Sequence, residues 1–390
     1  MEYYISIVMV VSFAGILLPL GLNLVLLSTL FLSVKKKEGV GTAAPPAVSI
    51  ITVVHNGEDL ITKKIQNALS LNYPSGQYEI IIYSDGSTDN TADCVKPFLG
   101  GRVLFFSSED HRGKINGMNE AAVHCSGDII VFTNADAILK KDAVIKLAGH
   151  FSDPEIGGVC GQRIITEEKP GLKKAQSSFI SFDSLIKKLE SRSGSISSND
   201  GKIYAVRKNL YSPVPEGVTD DLYVCLSVIS KGYRFIFEPD ARAYIHLPSR
   251  TASHEVLRRR RITAASLMGI YLMKEVLNPF KYGMFSLNLM VNKILRRLLP
   301  VFLILLFLSS LLIAFRSPLA GIVLAAQIVF YLSAVFYHVF LRHSANIVFL
   351  TKICSVIYYF CVGNYGLLMG LMDFLGGRQQ TKWKPVKTGQ

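Results

Sequence analysis

Apolar and polar positions follow two different rhythms along the chain. From Tyr3 to Val34 there is no charged residue, and Leu298–Phe315, Pro318–Leu341 and Ile347–Met372 form further apolar stretches, the last broken only by Lys352. Each is long enough to cross roughly 30 Å of hydrocarbon as a helix. Between them the pattern shortens. "VSIITVV", "YEIIIYS", "RVLFFS" and "DIIVFTN" are brief apolar runs that end in polar residues. "DLITKKIQNALSL" and "GKINGMNEAAVHC", which lie between such runs, place apolar residues at helical spacing. Buried strands alternating with helices predict an α/β domain built on a mostly parallel sheet. In such sheets ligands bind outside the carboxyl ends of the strands. The polar segments "HNGE", "SDGSTDN" and "TNADA" are therefore expected along one rim.

This reading divides the 390 residues into six parts. Residues 1–34 form an N-terminal anchor, and 35–47 a basic linker that ends in Pro45 and Pro46. Residues 48–250 form the globular domain, 251–298 helices lying on a membrane surface, 299–376 the C-terminal spans, and 377–390 a basic tail. The first segment is expected to be a retained anchor rather than a cleaved signal peptide, because "MEYY" carries no Lys or Arg and "KKK" follows the apolar run. "ESRSGSISSNDG" (residues 190–201) is Ser- and Gly-rich and reads as a mobile loop.

Composition changes the picture in two ways. Half of the residues are hydrophobic, as a multi-pass membrane protein requires. The net charge of +13 invites a nucleic-acid partner, but the excess basic residues gather beside apolar segments: Lys35–Lys37, Arg258–Arg261, Lys293, Arg296, Arg297 and the tail from Arg378. Cytoplasmic flanks and anionic lipid headgroups select that distribution, so membrane lipids and no nucleic acid are the expected partners. "KKK" places the globular domain on the cytosolic side. Three C-terminal spans would then leave the basic tail outside, against the same rule, unless one stretch is re-entrant. The six cysteines lack CxxC spacing and fit reduced thiols.

Several motifs bear chemistry, each with a plainer alternative. Asp85 follows a strand directly and could accept hydrogen bonds from a base or ribose; Gly86 permits a tight turn, and Thr88 or Asp89 can cap the next helix. Asp136 offers the hard oxygen that Mg²⁺ or Mn²⁺ prefers, or else caps a helix "AILKKDAVIKLAGHF". Asp220 and Asp221 precede an amphipathic helix. Capping accounts for one acid, whereas its neighbour, repelled by the first, suits a base that takes a proton from an acceptor hydroxyl. Arg258 to Arg261 form a membrane-surface patch, or grip a diphosphate with planar forks.

Together these motifs resemble the processive-type membrane glycosyltransferases of family 2, with the GT-A fold, a group that includes cellulose, chitin and hyaluronan synthases and bacterial exopolysaccharide enzymes. The resemblance covers roughly residues 48–265. It implies that His55, Asn56 and Asp85 hold the nucleotide base, with Lys114 and Asn119 on the Gly-Lys…Asn helix near the nucleotide. "TNADA" occupies the Asp-x-Asp position, with Asn134 replacing the first acid and Asp136 left as the metal ligand. "TDD" stands at the Thr-Glu-Asp position, making Asp221 the general base and Asp220 the Glu stand-in. "RRRRI" lies on the Gln-x-x-Arg-Trp position; Arg261 becomes the diphosphate contact, Arg258 replaces Gln and Ile262 replaces Trp. "SSNDGKIYAVRKNL" fits a Gly-rich loop of related enzymes and adds Asp200 as a substrate contact. The implied activity is inverting transfer from a nucleotide-sugar, with a UDP-sugar expected, to a glycan or lipid-linked acceptor at the cell membrane, with Mg²⁺ or Mn²⁺. Polysaccharide synthesis is the leading expectation. Single-sugar transfer to a lipid is the alternative, and a catalytically silent glycosyltransferase-like binding subunit the rival of another class.

Overall fold

The computed structural model describes residues 2–32, 44–166, 183–245, 252–341 and 348–378. Lys35–Lys37 and the tail beyond Arg378 lie outside the described residues. The chain divides into two units, one formed by Leu27–Pro248 with Met268–Leu289, the other by Met1–Leu26, Ser249–Leu267 and Met290–Gln379.

In the first unit, β1 (Val48–Val54), β2 (Tyr78–Asp85), β3 (Val103–Ser108) and β4 (Ile129–Thr133) pair in parallel in the order β3-β2-β1-β4. In β1, β2 and β4 the apolar side chains are almost wholly buried, which is why these strands read as continuous runs instead of alternating ones, whereas β3 at the sheet edge fully buries only Val103. Alternate residues serve opposite faces. Val48, Ile50, Ile80, Ile82, Ile129 and Val131 meet Ile61 and Ile65 of α2 (Glu58–Leu69) and Val95 of α3 (Thr91–Val95). On the other face, α4 (Lys114–Val123) lies against β1 and β2, where a Cβ on Gly117 would come within 2.9 Å of both Val53 and Tyr83 side-chain atoms. The chain thus winds one way from β1 through β2 to β3 and returns past β1 to β4. In doubly wound sheets ligands bind outside the carboxyl ends of the strands where that direction reverses.

The sheet is larger and more mixed than the apolar runs imply. It has eight strands in the order β3-β2-β1-β4-β7-β6-β8-β5. The additional strands are β5 (Ala137–Leu139), β6 (Ile156–Ile165), β7 (Ile203–Arg207) and β8 (Arg234–Ile245). β7 runs antiparallel to both β4 and β6, whereas β6 and β8 are parallel. The helix expected from Ala137 onward is corrected. Ala137–Leu139 is a strand that pairs antiparallel with β8, and helix α5 (Ala143–Gly149) starts only after it. Asp142, not Asp136, occupies the position before that helix, which removes the capping alternative for Asp136.

The Ser/Gly-rich stretch is packed, not free-standing. A helix over residues 183–193 (α6) delivers Glu190, which is fully buried and accepts from Ser197 N–H at 2.9 Å and Ser197 Oγ at 2.7 Å. Ile196 is buried, and its N–H donates to Phe235 O at 2.8 Å. This stretch leads into β7, and the next, from Lys208, into α7 (Asp220–Ser230).

The second unit is helical. α1 (Glu2–Leu32) is 31 residues long, with a described apolar stretch from Tyr3 to Leu18. Helix α8 spans Ala252–Leu272, and its residues up to Leu267 belong to this unit. Three further helical runs among the described residues, Met284–Ile313, Pro318–Leu341 and Leu350–Leu375, are long and apolar enough to cross a membrane. The first of these continues through residue 298. Within the unit, Met9 packs with Leu306, Ile313 and Ala320. Arg260 of α8 grips Asp373 of α9 (Val348–Leu375) with both forks, Nη2 to Oδ1 at 2.7 Å and Nε to Oδ2 at 2.5 Å.

Candidate functional site

Parallel pairing brings the carboxyl ends of β1 to β4 to one edge, and antiparallel pairing brings the start of β7 to the same place, since Thr133 stands opposite Ile203. β6 runs with β4 and delivers Arg163 to that edge. The site is this rim.

Its first part is a pair of interlocked loops. Asn56 adopts φ 50°, a left-handed conformation that Asn tolerates better than most residues, and its Oδ1 accepts from Thr88 N–H at 2.8 Å. Asn56 N–H donates in turn to Ser87 Oγ at 3.0 Å. Asp89 accepts from Glu58 N–H at 3.1 Å and from Thr91 N–H at 3.1 Å. Burial works against its ionisation, but the bonds from Thr91 and Glu58 prevail and hold its carboxyl below the usual range. Asp85, expected at the base, is nearly inaccessible. Its oxygens accept from Arg112 N–H at 2.8 Å, Gly113 N–H at 2.8 Å and His111 Nδ1 at 2.9 Å. It therefore shapes the 111–113 segment. Gly86 makes the approach possible: at φ +58°, a Cβ there would lie 2.3 Å from His111 N. His55 bonds the Asp85 carbonyl through Nδ1 at 2.7 Å and stacks on His111 with ring centroids 3.8 Å apart. His111 Nε2 is buried without a hydrogen-bond partner among the described residues.

Asn134 and Asp136 stand on the turn after β4. Asn134 Oδ1 is buried and has no hydrogen-bond partner among the described residues. Asp136 projects outward, its side chain 44% exposed, and both oxygens accept from Lys202 Nζ at 2.8 and 2.7 Å. Beneath the turn, the fully buried Lys64 bridges its two ends, with Nζ 2.9 Å from Thr133 Oγ1 and 2.6 Å from the Ala137 carbonyl. Burial lowers the Lys64 ammonium to about 7, against the pull of Asp136. No group of three or more His, Cys, Asp or Glu residues suited to a metal occurs among the described residues. One carboxylate and one orphaned amide oxygen nevertheless match what Mg²⁺ or Mn²⁺ takes from a protein when phosphate oxygens and water complete its shell. The donor set fits such an ion.

The third part is acidic. Asp220 and Asp221 open α7, where the helix dipole favours negative charge. Lys114 Nζ, from the first residue of α4, reaches Asp220 Oδ2 at 2.8 Å. Asp221 is pushed above the usual carboxylate range, first by burial and then by the charge of Asp220. A Cβ on Gly201 would lie 3.6 Å from Asp221 Oδ2 and 3.8 Å from Asp220 Oδ2, so a side chain there would fill the space over both acids. Asp200 faces Arg163 at 3.4 Å; burial raises it, yet Arg163 and Lys187 keep it below its ordinary value. Tyr204 lies fully buried nearby, its hydroxyl unpartnered among the described residues.

The rim thus gathers His55, Asn56, Asp85, Lys114, Asn134, Asp136, Asp200, Asp220 and Asp221. Asn119 serves a structural end: its Oδ1 accepts from Val214 N–H at 2.9 Å and Tyr211 Oη at 2.8 Å. Arg258 and Arg261 belong to the helical unit, where Arg258 pairs with Glu255 at 2.8 Å. Lys202, Lys64, His111 and Tyr204 are rim-associated residues that sequence reading did not single out. Lys202 lay inside a quoted motif, but nothing local marks its meeting with a carboxylate 66 positions away.

Residues 49–212 match the family described as "Glycosyl transferase family 2". A poly-beta-1,6-N-acetyl-D-glucosamine synthase from Staphylococcus aureus strain MSSA476 is 26% identical over 284 residues, covering 71% of this chain and 68% of that protein. The enzyme of the same name from Staphylococcus epidermidis is 26% identical over 273 residues, 68% of this chain and 65% of its own. Among solved structures, a mannosyltransferase from Pyrobaculum calidifontis, in complex with GDP-Man and Mn²⁺, superposes with a TM-score of 0.69 at 19% identity. That match covers 95% of this chain and all of the other, and it shows a shared fold.

Proposed function

We propose, from the family 2 match over residues 49–212 and the GT-A-type sheet, that the chain is a glycosyltransferase that transfers a sugar from a UDP-sugar, with inversion, to a growing glycan at the cytosolic face of a membrane. The observation that carries this reading is Asp221, a carboxylate of raised proton affinity that opens α7 beside Gly201, at the same rim as Asp136. The staphylococcal relatives are named for synthesis of an N-acetylglucosamine polymer, which supports a glycan acceptor. Apolar helices and the basic residues beside them support a multi-pass protein with its sheet unit inside.

Each part of the rim has its own task in this reading. The interlocked 55–58 and 85–91 loops and the 111–113 segment receive the uridine, with Asp85 acting through the backbone it fixes. A Mg²⁺ or Mn²⁺ ion held by Asp136 and the Asn134 amide oxygen would neutralise charge on the departing diphosphate. Lys114 keeps Asp220 ion-paired, which confines the second acid to the role of neighbour. Asp221 then takes the proton of the acceptor hydroxyl as its oxygen attacks the anomeric carbon and UDP leaves from the opposite face. Raised proton affinity makes a carboxylate a better acceptor for that proton, provided that it is ionised at the working pH. With Asn134 in place of an acid, a bound ion would have one charged protein ligand fewer, which the substrate's own phosphates would offset.

The test is turnover. Purified full-length protein is incubated with a panel of nucleotide-sugars and Mn²⁺ or Mg²⁺, and nucleotide release is measured with oligosaccharide and with lipid acceptors. UDP release that rises with oligosaccharide supports the proposal. Turnover confined to a lipid acceptor, or to a guanosine donor, would contradict it.

A further inference from the structure

Lys202 is a residue at the rim to which the proposed chemistry assigns no task. It precedes β7, on the turn beside Gly201, and so stands between the Asp136 side of the rim and the acid pair. Its ammonium takes both oxygens of Asp136, at 2.8 and 2.7 Å, and these are the oxygens a divalent cation would need. The pair is one-sided in its setting: the Lys202 side chain is 20% exposed, that of Asp136 44%. Lys64 cannot exchange with it, because its own ammonium is spent on Thr133 and the Ala137 carbonyl. Arg163 is engaged with Asp200 and Lys114 with Asp220.

Resting on the reading of Asp136 as the metal ligand, we propose that Lys202 is a gate on the metal site. It holds the Asp136 carboxylate while the donor is absent, and moves to a diphosphate oxygen when nucleotide-sugar and divalent cation enter together. Charge favours the exchange. With Lys202 in place, the only unshared side-chain oxygen of residues 134–136 is the neutral Asn134 amide. That donor cannot hold a dication that prefers six oxygens. A diphosphate brings both the missing ligands and a new partner for the displaced ammonium. Lysine suits the part, as a point charge on a flexible stem. Metal binding is then conditional on nucleotide, and the rim carries no idle ion.

Binding of Mn²⁺ to the full-length protein in detergent, read from the electron paramagnetic resonance of the free ion, tests this with and without UDP. The wild type is expected to bind Mn²⁺ weakly alone and at least about tenfold more tightly with UDP. Lys202→Met is expected to bind Mn²⁺ about tenfold more tightly without UDP, since a carboxylate is released and a like charge removed. Lys202→Gln, which keeps a polar side chain of similar reach, should do the same and covers a failure of the Met variant to fold. Equal Mn²⁺ affinity in the wild type and both variants without UDP would overturn the gate. So would wild-type transfer that persists in EDTA but is lost in the variants, because Lys202 would then replace the metal. Asp136→Asn separates the two readings: if it still binds Mn²⁺ in a UDP-dependent way, the metal assignment itself fails.

Discussion

Two carboxylates, one in each unit, are held by both of their oxygens, and their settings differ. Asp373 is gripped by the planar fork of Arg260, with its side chain only 5% exposed. Backbones approach so closely there that a Cβ on Gly370 would lie 2.5 Å from the Arg260 carbonyl oxygen. Asp136 is held by a flexible lysine, and nearly half of its side chain faces outward. An Arg fork on a buried acid has no competitor, and removing one partner strands a charge. An ammonium on an exposed acid is weakly held and can be exchanged. The first pair fixes helices; under the proposed reading, the second keeps a ligand position occupied but available.

That contrast can be broken in four places, beginning with the largest effect. Asp221→Asn should lower turnover by about 10²- to 10⁴-fold, the range of general-base catalysis. Because the folded-state proton affinity of Asp221 is raised, its ionisation opposes folding: stability is fullest below the unfolded value of 3.8 and declines as pH rises through the folded one. The Asn variant should consequently melt higher than the wild type at pH 7. The acid limb of the wild-type pH–rate profile should lie above 3.8. An inactive variant that melts lower would show that Asp221 supports the fold as well.

Next comes Asp373→Asn, which should cost about 3 kcal/mol of stability, the scale for half of a buried pair, measured by thermal unfolding in detergent. Gly86→Ala should cost roughly 1–3 kcal/mol, because the clash is with backbone that cannot move aside, and should weaken UDP binding as the 111–113 segment shifts. Smallest is the effect of Asp136→Asn on stability, less than about 1 kcal/mol, as expected of an exposed pair. A melting point for Asp136→Asn as low as that of Asp373→Asn would erase the distinction between the pairs.

How much of this was legible follows from range. β1, β2 and β4 announced themselves because each is buried on both faces, β3 by its short apolar run, and their polar ends pointed to a shared rim. β5 did not: three residues give no period, and its partner β8 lies about a hundred positions later. Ala137 onward looked helical because Ile138 and Ile145 stand seven residues apart, as on one helix face, although the first serves a strand edge and the second a separate helix. Asp220 and Asp221 were visible as two adjacent acids, one more than a helix cap requires. The partners of the acids were hidden. Lys202 is 66 residues from Asp136, Arg260 is 113 from Asp373, and Lys114 is 106 from Asp220. The burial of Glu190 and Ile196 was hidden for a related reason, since Ser and Gly signal a turn whether or not the turn is covered.

The central claim is a division of labour along one rim, with Asp136 serving the nucleotide's diphosphate and Asp221 serving the acceptor's proton. UDP affinity in the presence of Mn²⁺, measured by calorimetry on Asp221→Asn and Asp136→Asn beside the wild type, tests it most directly. The account predicts wild-type affinity for the Asp221 variant and a loss of the Mn²⁺-dependent part of binding for the Asp136 variant. Equal loss in both, or loss in the Asp221 variant alone, would contradict it.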